Sequence, residues 1–228
     1  MSGRAPRAPV GPAAGLGDLL SLYADASLPM KAFLVHRFWH ASLSRLERLV
    51  VREGTVLDLG CGHGVFANLM GRREPGRTVR ALEKNPEKAA LARGRVTNVR
   101  VEDRDIASDT LPPVGAITLI DVLHHLRSYA EQEELLDAVT RVLPPGGQLI
   151  LKEVSTALPA RFRLTLLLDR IAYPGETFFF RHHDDFQRLL DERGFDSEFL
   201  PFWKGIPYSE YVFVARKRTA PATAGPWI

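Results

Sequence analysis

The segment VLDLGCGHG, from Val56 to Gly64, restricts this chain more than any other. A short apolar run ends in Asp58, glycines follow at alternate positions, and a helix-forming stretch begins at Val65. Glycines at this spacing let the backbone turn sharply and approach a ligand, and the next helix offers free N–H groups to a carboxylate or phosphate. A dinucleotide fingerprint G-x-G-x-x-G/A is one reading of such a loop. Counting from Gly60 and Gly62, however, puts Val65 in the sixth position, where a side chain hinders close helix packing. An NAD-dependent oxidoreductase therefore stands as a weakened alternative.

Around this loop the apolar period alternates. Short β-branched runs at Thr55 to Leu59, Val79 to Leu82, Val99 to Glu102, Ala116 to Asp121 and Leu149 to Glu153 read as strands. Helical patterns at Val65 to Arg73, Pro86 to Gly94 and Glu131 to Leu143 separate them. Such alternation predicts a doubly wound α/β protein, its mostly parallel sheet covered on both faces. Further along, Arg161 to Ala172 and Asp184 to Arg193 read as helices, and Glu198 to Phe202 and Tyr211 to Ala215 as two closing strands. Before the first strand, Leu28 to Val51 carries apolar residues at helical spacing and reads as one amphipathic helix able to roof a site. Residues 1–17 and 218–228, rich in Pro, Ala and Gly, bury too little apolar surface to offset their ordering entropy and read as flexible. The expected unit is residues 18–217, with a helical cap over 18–54.

The glycine segment resembles the first motif of the class I S-adenosylmethionine-dependent methyltransferases, an acidic residue followed by G-x-G-x-G, in Asp58, Gly60, Gly62 and Gly64. Further landmarks follow in the family's order. Glu83 ends the second strand, where the resemblance implies an acid on the two ribose hydroxyls; a carboxylate suits both bonds. Asp105 and Ile106 look like the pair bordering the adenine. The stretch Asp121 to Leu126 ends the fourth strand, and RVLPPGGQLIL, Arg141 to Leu151, is similar to the family's helix, turn and fifth strand. The resemblance covers roughly residues 55–154. It implies a Rossmann-like seven-stranded methyltransferase fold with an N-terminal helical extension. It also implies S-adenosyl-L-methionine as cofactor, held by Asp58, Gly60, Cys61, Gly62, Glu83, Lys84, Asp105, Ile106 and Asp121. Each acid alone also reads as a cap, a strand end or a turn residue.

A hydroxyl or protonated amine acceptor needs a base, and histidine has a suitable pKa. His124 and His125 follow the strand end that faces the donor methyl in the family and are the first catalytic candidates; His182 and His183 could also enter the site, or simply cap a helix. His36 and His40 have metal-ligand spacing, but the glutamate of H-E-x-x-H is missing and no third ligand is evident, so no metal is expected. Arg37, with Tyr23, is a candidate for the methionine carboxylate. The fourth strand lacks the Asn-Pro-Pro-aromatic tetrad of amino-methylating nucleic-acid enzymes. Cys61 lies inside the loop, away from a nucleophile's place. With 30 basic against 27 acidic residues, the charge gives no basic stripe for a phosphate backbone, and no nucleic-acid partner is expected. A small organic or lipid-like acceptor remains, similar to those of quinone and natural-product methyltransferases. Tyr173, Glu176, Phe178 to Phe180 and Trp203 to Tyr211 are candidates for its pocket. A non-catalytic binding protein on the same fold and an RNA methyltransferase are the alternatives. One cysteine and no long apolar run predict a cytoplasmic chain without a transmembrane segment.

Overall fold

The computed structural model describes residues 15–106 and 110–219. Seven strands form one sheet: β1 (Gly54–Leu59), β2 (Arg77–Glu83), β3 (Val99–Asp103), β4 (Ala116–Ile120), β5 (Gln148–Val154), β6 (Phe195–Pro201) and β7 (Glu210–Lys217). Their order is β3-β2-β1-β4-β5-β7-β6. The first five are mutually parallel, and β7 runs against both its neighbours. All seven expected strands are present.

The helices are α1 (Leu16–Leu22), α2 (Leu28–His40), α3 (Leu43–Glu47), α4 (Val65–Arg73), α5 (Pro86–Ala92), α6 (Tyr129–Val142), α7 (Pro159–Ala172) and α8 (His183–Glu192). Because strand side chains alternate, each sheet face feeds its own core. Val56, Val79 and Ala81 join Leu34, Phe38, Phe66 and Met70 from α2 and α4 on one face. Leu57, Leu82 and Leu119 join Leu135, Leu136 and Val139 of α6 and Phe186 and Leu190 of α8 on the other. Arg77, fully buried at the start of β2, donates to the backbone carbonyls of Val50, Val51 and Met70 and pairs with Glu47, which ties α3 to the sheet.

The cap departs from the expected single helix. The chain breaks at Ala41 and Ser42, the latter left-handed at φ 48°, so α2 and α3 are separate. The break turns both Phe38 and Leu43 into the core. Leu16 and Gly17, expected to be flexible, open α1 instead, whose Leu19 and Leu22 are buried. At the other expected flexible end, Arg218 is held by Asp191 and Asp196; residues 1–14 and 220–228 lie outside the described residues.

The chain winds from β1 outward to β3, then returns to place β4 on the other side of β1. Loops beyond the C-terminal ends of β1 and β4 therefore diverge and leave a crevice, the usual ligand position in open α/β sheets.

Candidate functional site

A cavity of about 330 Å³ fills that crevice. All nine expected cofactor residues line it: Asp58, Gly60, Cys61, Gly62, Glu83, Lys84, Asp105, Ile106 and Asp121. The glycine loop forms its floor. Gly60 has φ +69°, and a Cβ there would lie 2.9 Å from the Val122 side chain; at Gly64, φ +72°, a Cβ would lie 2.5 Å from that of Ala92. Larger residues at these two positions would force the loop off β4 and α5. Glu83 holds the loop from the side, accepting from the Gly62 N–H and the Asn85 N–H, each at 2.8 Å.

Tyr23 is fully buried and does not line the cavity. Its hydroxyl donates to the His63 carbonyl at 2.8 Å and accepts from Asn68 at 2.9 Å, so it steadies the outer end of the loop. Arg37 reaches in from α2, but its guanidinium is engaged by Asp121 at 2.7 Å.

At the base of the cavity, Asp58 accepts from the Thr118 hydroxyl at 2.6 Å through Oδ1, while Oδ2 is buried without a partner. Burial raises its carboxyl from 3.8 to about 7, against the pull of Thr118 and Arg37. Asp121 ends β4 in the left-handed region at φ 56°, a conformation Asp tolerates better than most residues. Lys152 on β5 bonds one of its oxygens at 2.7 Å and pairs with Glu210 on β7 at 2.9 Å; His40 approaches Glu210 at 3.0 Å. Burial disfavours the Asp121 charge, but Lys152, Arg37 and His124 outweigh it and hold the carboxyl far below the usual range. Lys152, also opposed by burial, is held above its usual range by Asp121 and Glu210. Burial pushes the Cys61 thiol well up, with Asp58 and Glu83 adding to it, so Cys61 is a poor nucleophile.

The two catalytic candidates are separated. Leu123–His125 form a 3-10 turn after β4. His125 lines the 330 Å³ cavity, and its Nδ1 meets Glu176 at 2.8 Å. His124 points elsewhere: buried, stacked on Phe180 at 4.8 Å, with Nδ1 donating to Glu153 at 2.5 Å. Glu153 also accepts from the Val122 and Leu123 N–H groups, which holds it in place beneath the turn. Burial works against charge on His124, yet Glu153 wins and raises its pKa; burial and then the charge of His124 lower that of His125 to about 4. Two adjacent histidines are thus driven in opposite directions.

Tyr173 and Glu176 line the same cavity; Phe178 and Phe180 pack against His124 behind it. Trp203 and Tyr208 line no described cavity: Trp203 lies beside Phe199, and Tyr208 lies over His40. His182 caps α8 by accepting from the Asp184 N–H, and His183 stacks on Phe199. Both lie close enough to Asp184 to share an ion, the one such three-residue grouping among the described residues. No helix of the described residues is long and apolar enough to cross a membrane.

A sheet in this order, with a glycine loop after β1 and an acid ending β2, is the class I S-adenosylmethionine-dependent methyltransferase architecture. Residues 33–198 match the family model for the methyltransferase domain. A ubiquinone biosynthesis O-methyltransferase from Xanthomonas oryzae pv. oryzae is 32% identical over 166 residues, covering 64% of this chain and 67% of that protein. A demethylmenaquinone methyltransferase from Thermus thermophilus is 33% identical over 101 residues, covering 43% of this chain and 46% of that one. An O-methyltransferase family protein from Burkholderia thailandensis superposes with a TM-score of 0.67 at 16% identity; the match covers 81% of this chain and 57% of that one. The chain belongs to the methyltransferase domain family, and S-adenosylmethionine is its methyl donor. The sequence resemblance is borne out at the level of fold, class and cofactor.

Proposed function

We propose that residues 18–217 form a catalytic unit, with 18–54 as its helical cap, that transfers methyl from S-adenosylmethionine to a hydroxyl oxygen of a small organic acceptor. The relatives named above as ubiquinone and demethylmenaquinone methyltransferases support a quinone-like or other small acceptor. The observation that carries the reading is the orphaned Asp58 Oδ2 at the base of a glycine-floored cavity that also presents Glu83 and Asp105. That donor set fits a nucleoside bearing an amino-acid tail: Asp58 takes the ammonium, Glu83 the ribose hydroxyls, and Asp105 and Ile106 border the base. When bound, the cofactor supplies an electrophilic methyl on a sulfonium.

The protein's share is positioning and proton removal. His125 is neutral near pH 7, lines the cavity and has Nδ1 held by Glu176, which leaves Nε2 to accept the acceptor's proton. His124 is a positioning residue that fixes the turn, and its charge adds to the burial that keeps His125 neutral. Replacing His125 by Ala should lower kcat about 100-fold or more while S-adenosylhomocysteine affinity stays within twofold. Equal losses of both in steady-state and titration experiments would refute the base assignment.

Calorimetric titration with S-adenosylmethionine, S-adenosylhomocysteine and NAD tests the donor reading. The first two should saturate and NAD should not. The pH dependence has a defined sign. Since the Asp58 carboxyl is raised, its ionisation costs the free folded protein stability as pH climbs from 3.8 to about 7. A ligand ammonium beside it favours the carboxylate, so binding should release a proton below that range's upper end. Affinity should rise by up to about tenfold per pH unit towards 7 and level off above it. A flat profile between pH 5 and 8 would remove Asp58 from the contact set.

A further inference from the structure

A second, smaller cavity of about 40 Å³ adjoins the first behind Arg37, Asp121, His125 and Tyr173, which line both. Its far wall is α7, the one long helix with a single buried residue, Thr165. Most polar groups around it are already engaged. Asp121 is held by Lys152 and Arg37, His40 faces Glu210, and the Thr165 hydroxyl donates to Arg161 and accepts from the Ser209 N–H. Two are not. Asp169 Oδ2 is shut off from solvent and has no hydrogen-bond partner, and His124, with Nδ1 spent on Glu153, has Nε2 left. An unmet buried carboxylate oxygen costs free energy, so such a group marks a place where a ligand donor is missing. Burial accordingly raises the Asp169 carboxyl, with the charge of His124 opposing.

We propose that this cavity is a subsite for a second hydroxyl of the acceptor, on the carbon next to the one that bears the methylated oxygen, with Asp169 accepting its hydrogen bond. The volume suits one hydroxyl, since a single water needs roughly 10–15 Å³ of such space. A hydroxyl both donates, to Asp169, and accepts, from the His124 Nε2–H, which matches the two open positions. Arg37 and His124 disfavour an ammonium there, and Asp121 and Asp169 disfavour a carboxylate. Adjacency follows from His125, which faces the methylated oxygen from the shared wall. The substrate class is therefore a small vicinal diol, and the rings of Tyr173 and Phe178 beside His125 favour an aromatic one. Asp169 then determines specificity without touching the transferred group. The inference rests on the donor assignment made above.

The test uses the full chain loaded with S-adenosylhomocysteine, titrated with catechol and with phenol. Catechol should bind about tenfold more tightly, the value of one hydrogen bond to a charged group. Asp169→Ala should abolish that preference, and Asp169→Asn, which keeps one acceptor oxygen, should retain part of it; S-adenosylhomocysteine affinity should stay within twofold in both. Equal binding of the two probes by the native protein, meaning that water alone fills the cavity, overturns the subsite. So does a preference that survives Asp169→Ala. A cyclohexane-1,2-diol that binds as well as catechol would keep the diol assignment and overturn the aromatic one. Failure of the native protein to bind S-adenosylhomocysteine would strike the donor reading itself, a different result from a catechol preference indifferent to residue 169.

Discussion

Replacing Lys152 by Met should destabilise the protein by about 3–5 kcal/mol, the range for removing one partner of a buried ion pair. Lys152 is fully buried, and its ammonium lies between Asp121 at 2.7 Å and Glu210 at 2.9 Å. Methionine fills the volume but leaves two carboxylates without their shared cation. Arg37 still serves Asp121, and His40 still faces Glu210, so the loss falls short of two full desolvation penalties. The pH dependence distinguishes this from a packing defect. Asp121 is held low in the folded state, so its contribution is present above the unfolded value near 4 and is lost as pH falls. Without Lys152 the carboxyl shifts upward, so less stability is left to lose on acidification and the variant's deficit relative to the native protein should shrink as pH falls. Urea denaturation at pH 5, 6 and 7 measures both effects, and Lys152→Met combined with Glu210→Gln should recover part of the loss. A deficit under about 1 kcal/mol, independent of pH, would mean the network is electrostatically neutral to stability.

That network also marks where sequence reading stops. Asp58, the glycines, Glu83, Asp105 and Asp121 each lie at the end of a strand or in the loop that follows it. A strand, loop and helix form a local unit whose period and turn residues are written in consecutive positions. Lys152 and Glu210 carry no such signal, because they meet only when β7 returns antiparallel beside β5. Nothing adjacent to Arg37 in the chain foretells that it pairs with Asp121 rather than a ligand carboxylate. The two histidines are a sharper case. At consecutive positions of one turn they are equivalent by sequence, yet Glu153 claims one and Glu176 the other, so their opposite charge preferences come from residues 29 and 51 positions downstream. The expected continuous helix over 28–51 failed for a related reason. Its apolar period runs unbroken through Ser42, and only the need to seat both Phe38 and Leu43 in the core breaks it.

Replacing Glu83 by Ala should weaken S-adenosylhomocysteine binding by about 100-fold or more, equivalent to roughly 3 kcal/mol. Two losses combine. The carboxylate tethers the loop through the Gly62 and Asn85 N–H groups, and without it Gly62, at φ +56° with open space around it, has less to hold its geometry. Each carboxylate oxygen also keeps a second lone pair for the ribose hydroxyls assigned to it. A nucleoside comparison separates the two roles. The native protein should prefer adenosine over 2′,3′-dideoxyadenosine by about tenfold, because the dideoxy compound donates nothing to Glu83. If the carboxylate contacts the ribose, Glu83→Ala should bind both weakly and equally. If it only tethers the loop, affinity for both should fall by the same factor and the preference should persist. Loss of the preference in the variant is the outcome that ties Glu83 to the ribose; its persistence would reduce Glu83 to a loop anchor and leave the ribose without an assigned acid.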